Sequence, residues 1–208
     1  MLYQKLNNIF GWICCILATT VYFITKEPTV SFWDCGEFIA AAYKLQIVHQ
    51  PGAPLFLILQ NLFSNLAFGD NSHIASWMNA GSALASGLTI LFLFWTITSL
   101  SKKILAKQDQ DLNRQHILQI VGAGVIGSLS FAFSDSFWFS AVETEVYAMS
   151  SLCTAVVFWL ILKWESRERE QRSDKWLVLI AFVMGLSIGI HLLNLLTIPV
   201  LALVIYFK

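Results

Sequence analysis

The sequence Ser31-Phe32-Trp33-Asp34-Cys35-Gly36-Glu37-Phe38 stands directly after the first long apolar segment of the chain. It carries two carboxylates three residues apart, set among aromatic side chains and a glycine. A second run, His49-Gln50-Pro51-Gly52-Ala53-Pro54, is typical of a helix start, because proline is favoured in the first turn of a helix. Together these runs predict an acidic loop that the rest of the chain holds at one face of a bilayer.

The composition is typical of a membrane protein. Of the 208 residues, 57% are hydrophobic and only 12% are charged, whereas an ordinary soluble domain is about a quarter charged. A soluble fold of this size could not bury so much apolar surface, so the sequence predicts an all-α polytopic membrane protein. The four cysteines show neither a metal-ligand spacing nor a disulfide framework.

The lengths of the apolar segments predict about six transmembrane helices and two helices on the membrane surface. About 20 apolar residues are needed to cross the hydrocarbon core. Residues 53–68 are apolar but too short at 1.5 Å per residue, so they predict a surface helix. A second surface helix is predicted over residues 33–47. The predicted crossings are residues 8–25, 73–100, 117–133, 146–163, 176–190 and 193–207.

The basic residues predict the orientation, because lysine and arginine collect in cytoplasmic loops. Eleven of the thirteen basic residues fall on one side if residues 53–100 cross the membrane once. They lie at Lys5, in the segments 101–116 and 163–175, and at Lys208. Both termini are therefore predicted to be cytoplasmic.

Two loops are predicted on the outer side, which carries most of the unpaired acidic residues. They are residues 26–72, with the two surface helices, and residues 134–147, which read as an acidic, aromatic turn. We therefore expect residues 1–208 to form one transmembrane module, the amino-terminal part of a longer protein.

Asp34 and Glu37 are the first candidate site. Loop carboxylates are ordinarily just solvated, but these two lie beside Phe32, Trp33 and Phe38, where partial desolvation would alter their basicity. Two carboxylates on one helical face suit general-base catalysis or metal binding, and the residues alone do not decide between these roles.

His49 and the prolines after it are the second candidate site. The run is explained by a helix start alone. Alternatively, it forms a rigid turn that aims His49, and the helix amino terminus behind it, at an anionic group such as phosphate.

Two further polar clusters are predicted at the same outer level. Glu143 and Tyr147, four residues apart, would share a helix face, and Glu145 would point elsewhere. An interfacial aromatic belt is the simpler explanation, but acidic residues entering a span without a nearby basic partner usually have a function. His191 and Asn194 interrupt the last hairpin, either as a turn or as ligand contacts.

Several classes of protein are disfavoured. No P-loop, dinucleotide fingerprint, nucleophile elbow or zinc spacing is present. The basic loops are too short and too balanced by acids for nucleic acid. A transporter component would carry ionisable groups near the bilayer midplane and would often consist of two repeated halves. The sequence shows neither feature. A non-catalytic membrane scaffold stays open.

Three motifs resemble those of the GT-C superfamily of polyprenyl-phosphate-sugar glycosyltransferases. They are Phe32–Phe38, His49–Leu55 and Ala141–Tyr147. The order of features is most similar to one branch, the bacterial domain-of-unknown-function family related to the vertebrate transmembrane-protein-260 O-mannosyltransferase. The resemblance covers essentially the whole chain. Members of that family are much longer, with further spans and an outer soluble region.

The resemblance implies an inverting transfer of a sugar, mannose or a related hexose, from a polyprenyl-phosphate donor to a Ser or Thr hydroxyl of a protein acceptor. Asp34 would be the general base on that hydroxyl, and Glu37 would support or orient it. His49 or His191 would hold the leaving phosphate. The remaining expected substrate contacts are Glu143, Glu145, Tyr147 and Asn194.

The resemblance also implies a location and bears on cofactors. The active face is expected toward the periplasm, in a bacterial inner membrane. Superfamily members differ in their use of a divalent metal. None of the three motifs contains an Asp-x-Asp pair, which favours a reaction that needs neither a metal nor another cofactor.

Overall fold

The computed structural model describes residues 2–105, 112–167 and 173–208, and within these ranges the chain is helical and contains no strand. Three short 3-10 segments, Asn65–Ala67, Asn71–His73 and Leu192–Thr197, join or precede helices. The predicted all-α fold is confirmed. The helices are α1 (Leu2–Thr25), α2 (Cys35–Lys44), α3 (Pro54–Ser64), α4 (Ile74–Leu105), α5 (Arg114–Ala132), α6 (Asp135–Val142), α7 (Val146–Ser166), α8 (Lys175–Ile188) and α9 (Ile198–Tyr206).

Helix α4 is the centre of the fold and packs against α1, α3, α5, α6 and α7. Its buried face carries small and polar residues, which let neighbouring helices approach closely in lipid. A Cβ at Gly87 would come within 2.9 Å of Thr19 Cβ on α1, so this crossing depends on the glycine. The polar residues buried on this face are Asn79, Ser82, Ser86 and Thr89, as the sequence predicts.

The helix lengths are those of an integral membrane protein. Among the described residues, four segments are long and apolar enough to span a membrane: Leu2–Thr25, Asn71–Leu105, Arg114–Ala132 and Val146–Ser166. Helix α8 has 14 residues and reaches about 21 Å at 1.5 Å per residue, less than the ~30 Å hydrocarbon core. The count of six crossings therefore stays a prediction.

The two ends of the helix bundle differ in charge. At one end, the start of α1 and the ends of α4 and α7 surround a cavity rich in lysine. Lys208 also reaches this basic end, with its Nζ 3.8 Å from Glu165 Oε1. At the other end, Lys26 Nζ donates to Ser76 Oγ at 2.6 Å. Residues 74–105 run between these ends as one helix, and the orientation of the chain in the membrane stays a prediction.

Two local predictions need correction. The surface helix predicted over residues 33–47 ends at Lys44, because Leu45 is left-handed (φ 50°) and its amide caps the carbonyls of the last turn. Residues 134–147 are not a simple turn, since Asp135–Val142 form α6 with Ser134 preceding its first turn. Helix α6 packs on α4 and closes the second outer loop against the bundle.

Candidate active site

Helix α2 presents the two carboxylates of the first motif at the outer end of the bundle. Asp34 is the residue before the helix and Glu37 lies in its first turn. Buried Phe38 packs against Phe56 of α3, with ring centroids 5.2 Å apart, and fixes the helix in place. The Asp34 side chain stays 58% exposed, so a macromolecular substrate could reach it.

His49 is oriented by Glu37. Gly52, at φ 75°, closes a turn in which its amide donates to the His49 carbonyl at 2.9 Å, and such a backbone conformation favours glycine. The Glu37 carboxylate accepts from the His49 backbone N–H at 2.7 Å and pairs with Nδ1 at 2.8 Å. The free Nε2 lies 3.9 Å from Asp34 Oδ2. Glu37 therefore contacts the histidine rather than Asp34, which it was predicted to support.

The Glu37–His49 pair shifts both groups toward their charged forms. The hydrogen bond from His49 holds the pKa of Glu37 below its ordinary value. The same bond raises the pKa of His49, with smaller contributions from the charges of Glu37, Asp34 and Glu145. A protonated His49 would carry an N–H on Nε2 and could donate it to an anion.

The amino terminus of α3 does not offer an anion site, contrary to one of the predicted roles of the proline run. The first-turn amides of Leu55 and Phe56 donate to the carbonyl of Gly189, at 2.7 and 3.3 Å. Helix termini bind anions through such unpaired amides. Because the Gly189 carbonyl already accepts from these two amides, the proline run positions His49 but provides no helix-terminus anion site.

The second outer loop differs from the helical prediction. Glu145 has an extended backbone (φ −126°, ψ 152°), and α7 begins at Val146. The helical spacing of Glu143 and Tyr147 therefore does not apply, and Glu145 and Tyr147 point to the same cavity. Glu143 is buried and does not line that cavity, and its Oε2 has no hydrogen-bond partner among the described residues.

His191 enters the cavity from the break between α8 and the 3-10 segment that follows. Its Nδ1 accepts from the Leu193 amide at 3.1 Å, which leaves Nε2 as the protonated nitrogen of the neutral ring. Burial lowers the pKa of His191, so the neutral ring is favoured. The Tyr147 ring lies 5.5 Å from it.

The candidate site is a small cavity of about 60 Å³ where these elements meet. We call it the outer cavity. Its walls come from α2, the 48–53 turn, the start of α7 and the α8 break. Five of the predicted site residues line it, and Glu37 lies behind His49. The lining is Asp34, Phe38, Val48, His49, Pro51, Gly52, Ala53, Glu145, Val146, Tyr147, Ile190 and His191.

Glu145 is the most perturbed carboxyl group of the outer cavity. Its residue is only 7% exposed. Burial raises the pKa of Glu145 to about 7, and the negative charges of Glu143 and Asp34 add to the shift. A group that titrates near neutral pH inside a cavity is a common feature of functional sites.

Glu145→Gln should stabilise the protein at alkaline pH. The folded-state pKa of Glu145, about 7, lies above the ordinary value of 4.5. The native state therefore loses stability as the pH rises from 4.5 to about 7, and it loses no more at higher pH. The loss is at most about 3 kcal/mol at 1.36 kcal/mol per unit. The variant should therefore melt higher than wild type at about pH 8 and equally at about pH 4, below the unfolded-state pKa. Melting is followed by tryptophan fluorescence.

The control for this variant is Asp135→Asn, an exposed carboxylate of the same outer loop that does not line the outer cavity. It should show no gain that depends on pH. An equal gain for Glu145→Gln at both pH values would mean that the carboxyl of Glu145 is not held in its neutral form by burial.

A buried hydrogen-bond network joins the two outer loops to α4. The Asn79 amide nitrogen donates to the carbonyls of Glu27 and Thr29 at 2.7 and 3.0 Å, and its oxygen accepts from Thr144 Oγ1 at 2.6 Å. Asn79 and Thr144 are fully buried. The sequence indicated Asn79 only as a packing residue, because its partners lie 50 to 65 positions away.

Asn194 lies outside the outer cavity. It is fully buried, its amide donates to Ser187 Oγ at 2.6 Å, and it accepts from Thr154 Oγ1 at 3.1 Å. These bonds fix the α8 break to α7 and so position His191. The geometry gives Asn194 a supporting place rather than a substrate contact.

One group of residues has the composition and spacing of a metal site. Asp34, Glu37 and His49 each offer a ligand atom, and these atoms lie within 4.8 Å of one another. Carboxylate and imidazole ligands suit several divalent ions. Both Glu37 oxygens are already bonded to His49, which leaves Asp34 and His49 Nε2 as the available ligands. The predicted independence from metals remains a prediction.

Comparison with known proteins places this site inside a matched region. The family described as Protein O-mannosyl-transferase TMEM260 N-terminal domain matches residues 34–208, which include every predicted site residue. The chain is 24% identical over 185 residues to Protein O-mannosyl-transferase tmem260 of Dictyostelium discoideum, covering 86% of this chain and 20% of that protein. No solved structure matches the chain.

A second relative gives the same picture. The chain is 28% identical over 169 residues to Protein O-mannosyl-transferase TMEM260 of Mus musculus, covering 81% of this chain and 21% of that protein. The chain thus spans about a fifth of the length of the curated relatives it matches. Since the family match covers most of its residues, including the whole outer cavity, the chain belongs to the TMEM260 N-terminal domain family.

Proposed function

We propose that the chain carries the catalytic end of a GT-C-type glycosyltransferase that moves mannose, or a related hexose, from a polyprenyl-phosphate donor to a protein Ser or Thr hydroxyl. The observation that carries the proposal is the outer cavity, where an exposed carboxylate lies beside two imidazoles. The relatives named protein O-mannosyl-transferases support the reaction class.

Asp34 is the proposed general base. Its carboxylate is exposed and reaches the cavity rim, where an acceptor hydroxyl could approach. The acceptor oxygen bonds to the anomeric carbon as the bond to the phosphate breaks on the opposite face, which inverts that carbon. One base is enough, because it only has to accept the hydroxyl proton in this step. The leaving group is a phosphate, so no general acid is required.

His49 and His191 are the proposed phosphate contacts. Protonated His49, held by Glu37, would offer Nε2–H, and neutral His191 would offer its own Nε2–H. Charge-assisted hydrogen bonds of this kind stabilise a phosphate as negative charge develops on it. Neutral Glu145 would avoid repelling the same phosphate, and Tyr147 adds a hydroxyl at the cavity wall.

The proposed orientation puts the outer cavity on the non-cytoplasmic side. Most basic residues lie toward the opposite end of the chain's predicted topology, and such residues favour the cytoplasm. In a bacterial inner membrane the outer cavity would face the periplasm. A cysteine introduced at Asp70 should react with an impermeant reagent from that side only.

The test is a transfer assay in membranes that contain the overproduced protein. The donor is polyprenyl-phosphate mannose with a labelled sugar, and the acceptor is a Ser/Thr-containing peptide. Transfer above that of control membranes supports the proposal, and glucose or galactose donors then define the sugar. Equal transfer in both membranes would leave a non-catalytic scaffold as the better explanation.

Transfer should survive chelation. Since Glu37 is bonded to His49 through both oxygens, we expect EDTA to change the rate by less than about two-fold. A loss that Mg²⁺ or Mn²⁺ restores would instead assign Asp34, Glu37 and His49 to a divalent cation.

Glu37→Gln should weaken the donor site. A glutamine cannot stabilise the His49 cation, so the pKa of His49 should fall and the donor KM should rise about 10-fold, with a smaller change in kcat. The steady-state kinetics are measured against donor concentration near neutral pH. The loss should shrink at lower pH, where His49 is protonated without help.

A matched control exists in the same outer loop. Asp70 pairs with His73 Nδ1 at 2.9 Å, also on the surface, but neither lines the outer cavity. Asp70→Asn should leave the donor KM unchanged. A KM rise in Asp70→Asn equal to that in Glu37→Gln would assign the effect to general surface charge.

A further inference from the structure

A large cavity lies at the basic end, opposite the outer cavity. It has a volume of about 530 Å³ and opens between the start of α1 and the ends of α4 and α7. Nothing in the proposed transfer uses it. Within the described ranges its lining contains four basic side chains and no acidic one: Lys102, Lys103, Lys163 and Arg167.

The positive charge of this basic cavity is only partly neutralised by the ion pairs in the described part of the chain. Glu165 contacts Lys103 and, at 3.8 Å, the Nζ of Lys208. Lys102 and Lys163 instead lie over aromatic rings, with Nζ 5.3 Å from the Tyr3 ring centroid and 5.2 Å from that of Trp159. A ring face holds an ammonium group in place without cancelling its charge.

The basic cavity continues into an aromatic groove. A second space of about 330 Å³ shares Asn7, Asn8, Ser99 and Lys163 with the first, and its further lining is three tryptophans. These are Trp12, Trp95 and Trp159, in contact at ring-centroid distances of 6.5 and 5.7 Å. Trp12 lies further along α1 than Asn7, so the groove leads from the basic end toward the middle of the bundle.

We propose that the basic cavity and the tryptophan groove bind one anionic glycerophospholipid of the cytoplasmic leaflet, with the phosphodiester among Lys102 and Lys163 and an acyl chain along the tryptophans. Charge alone would suit any phosphate, but three tryptophan rings directly beside the basic cavity favour an amphiphile, whose acyl chain can pack on them. Basic pockets between transmembrane helices on the cytoplasmic side bind such headgroups. This site is independent of the proposed transfer reaction.

The test uses phosphatidylglycerol with brominated acyl chains, because bromine quenches nearby tryptophan fluorescence. The protein, reconstituted in phosphatidylcholine nanodiscs, is titrated with this lipid or with brominated phosphatidylcholine. We expect saturable quenching by phosphatidylglycerol alone. Lys102→Gln/Lys163→Gln should weaken that binding about 30-fold, from about 1 kcal/mol for each of the two cations at an anionic surface.

The matched control is Lys5→Gln/Lys175→Gln, which removes the same charge from the basic side without touching the cavity lining. It should bind as wild type does. Equal loss in the two double variants, or equal quenching by both lipids, would overturn the proposal. Displacement of the lipid by glycerol phosphate would also overturn it, because the site would then bind a free anion. The absence of saturable binding would overturn it as well, and is expected if another part of the protein covers the cavity.

A second measurement needs no variant and so does not depend on folding. Phosphatidylglycerol should raise the melting temperature of the wild-type protein, because a ligand that binds only the folded state stabilises it. Phosphatidylcholine at the same concentration should not. An equal rise with both lipids would contradict a headgroup-specific site.

Discussion

Asp34→Asn should lower kcat for sugar transfer about 10³-fold, within the range that a general base contributes. Asparagine preserves the shape of the side chain but cannot accept the hydroxyl proton. The donor KM should change little, since the pairing of Glu37 with His49 does not involve Asp34. The measurement is the initial rate at saturating donor and acceptor.

The control for this variant is Asp135→Asn, an exposed carboxylate in the second outer loop that does not line the outer cavity. It should keep wild-type rates. Asp34→Asn with more than a tenth of the wild-type rate would remove Asp34 as the base. The next candidate would be Glu145, which predicts a rate that rises with pH around the Glu145 pKa of about 7.

Asn79→Ala should produce the largest loss of stability in the outer loops. The change leaves the carbonyls of Glu27 and Thr29 and the hydroxyl of Thr144 without their buried partner. Each unsatisfied group costs about 1–3 kcal/mol, so the free energy of unfolding should fall by about 3 kcal/mol or more. Denaturation by SDS in mixed micelles measures this difference.

Hydrogen exchange would show where the loss falls. Amides of residues 26–34 and 143–146 should lose protection, because Asn79 is what joins these segments to α4. The control is Thr89→Val, also buried on α4, whose hydroxyl bonds only within its own helix to Ala85. A loss in Thr89→Val as large as in Asn79→Ala would mean that helix packing, not the network, is being measured.

The sequence predicts well the features that depend on composition and local pattern. Apolar lengths predict the helical fold, and basic residues predict which helix ends gather together. Polar clusters in otherwise apolar sequence point to Asp34, His49, Glu145, Tyr147 and His191, which do line one cavity. These signals are local, because each arises from a residue that is out of place among its own neighbours.

Features that depend on a helix boundary or a distant partner are not predicted. Glu145 rather than Glu143 lines the outer cavity because α7 begins at Val146, and a shift of a residue or two in that start would reverse the pair. Glu37 bonds His49 only because the chain turns at Gly52. Such contacts are set by tertiary packing, for which no sequence period exists.

The junction between α3 and α8 has a consequence for how this family can vary. The contact is made by main-chain groups, the amides of Leu55 and Phe56 and the carbonyl of Gly189. A Cβ at Gly189 would lie 3.0 Å from Leu55 Cβ, so a small residue is needed there. This contact itself places no demand on the side chains at 55 and 56, except that neither becomes proline. Correlated substitutions between homologues would therefore not reveal this contact, which holds His191 against the first outer loop.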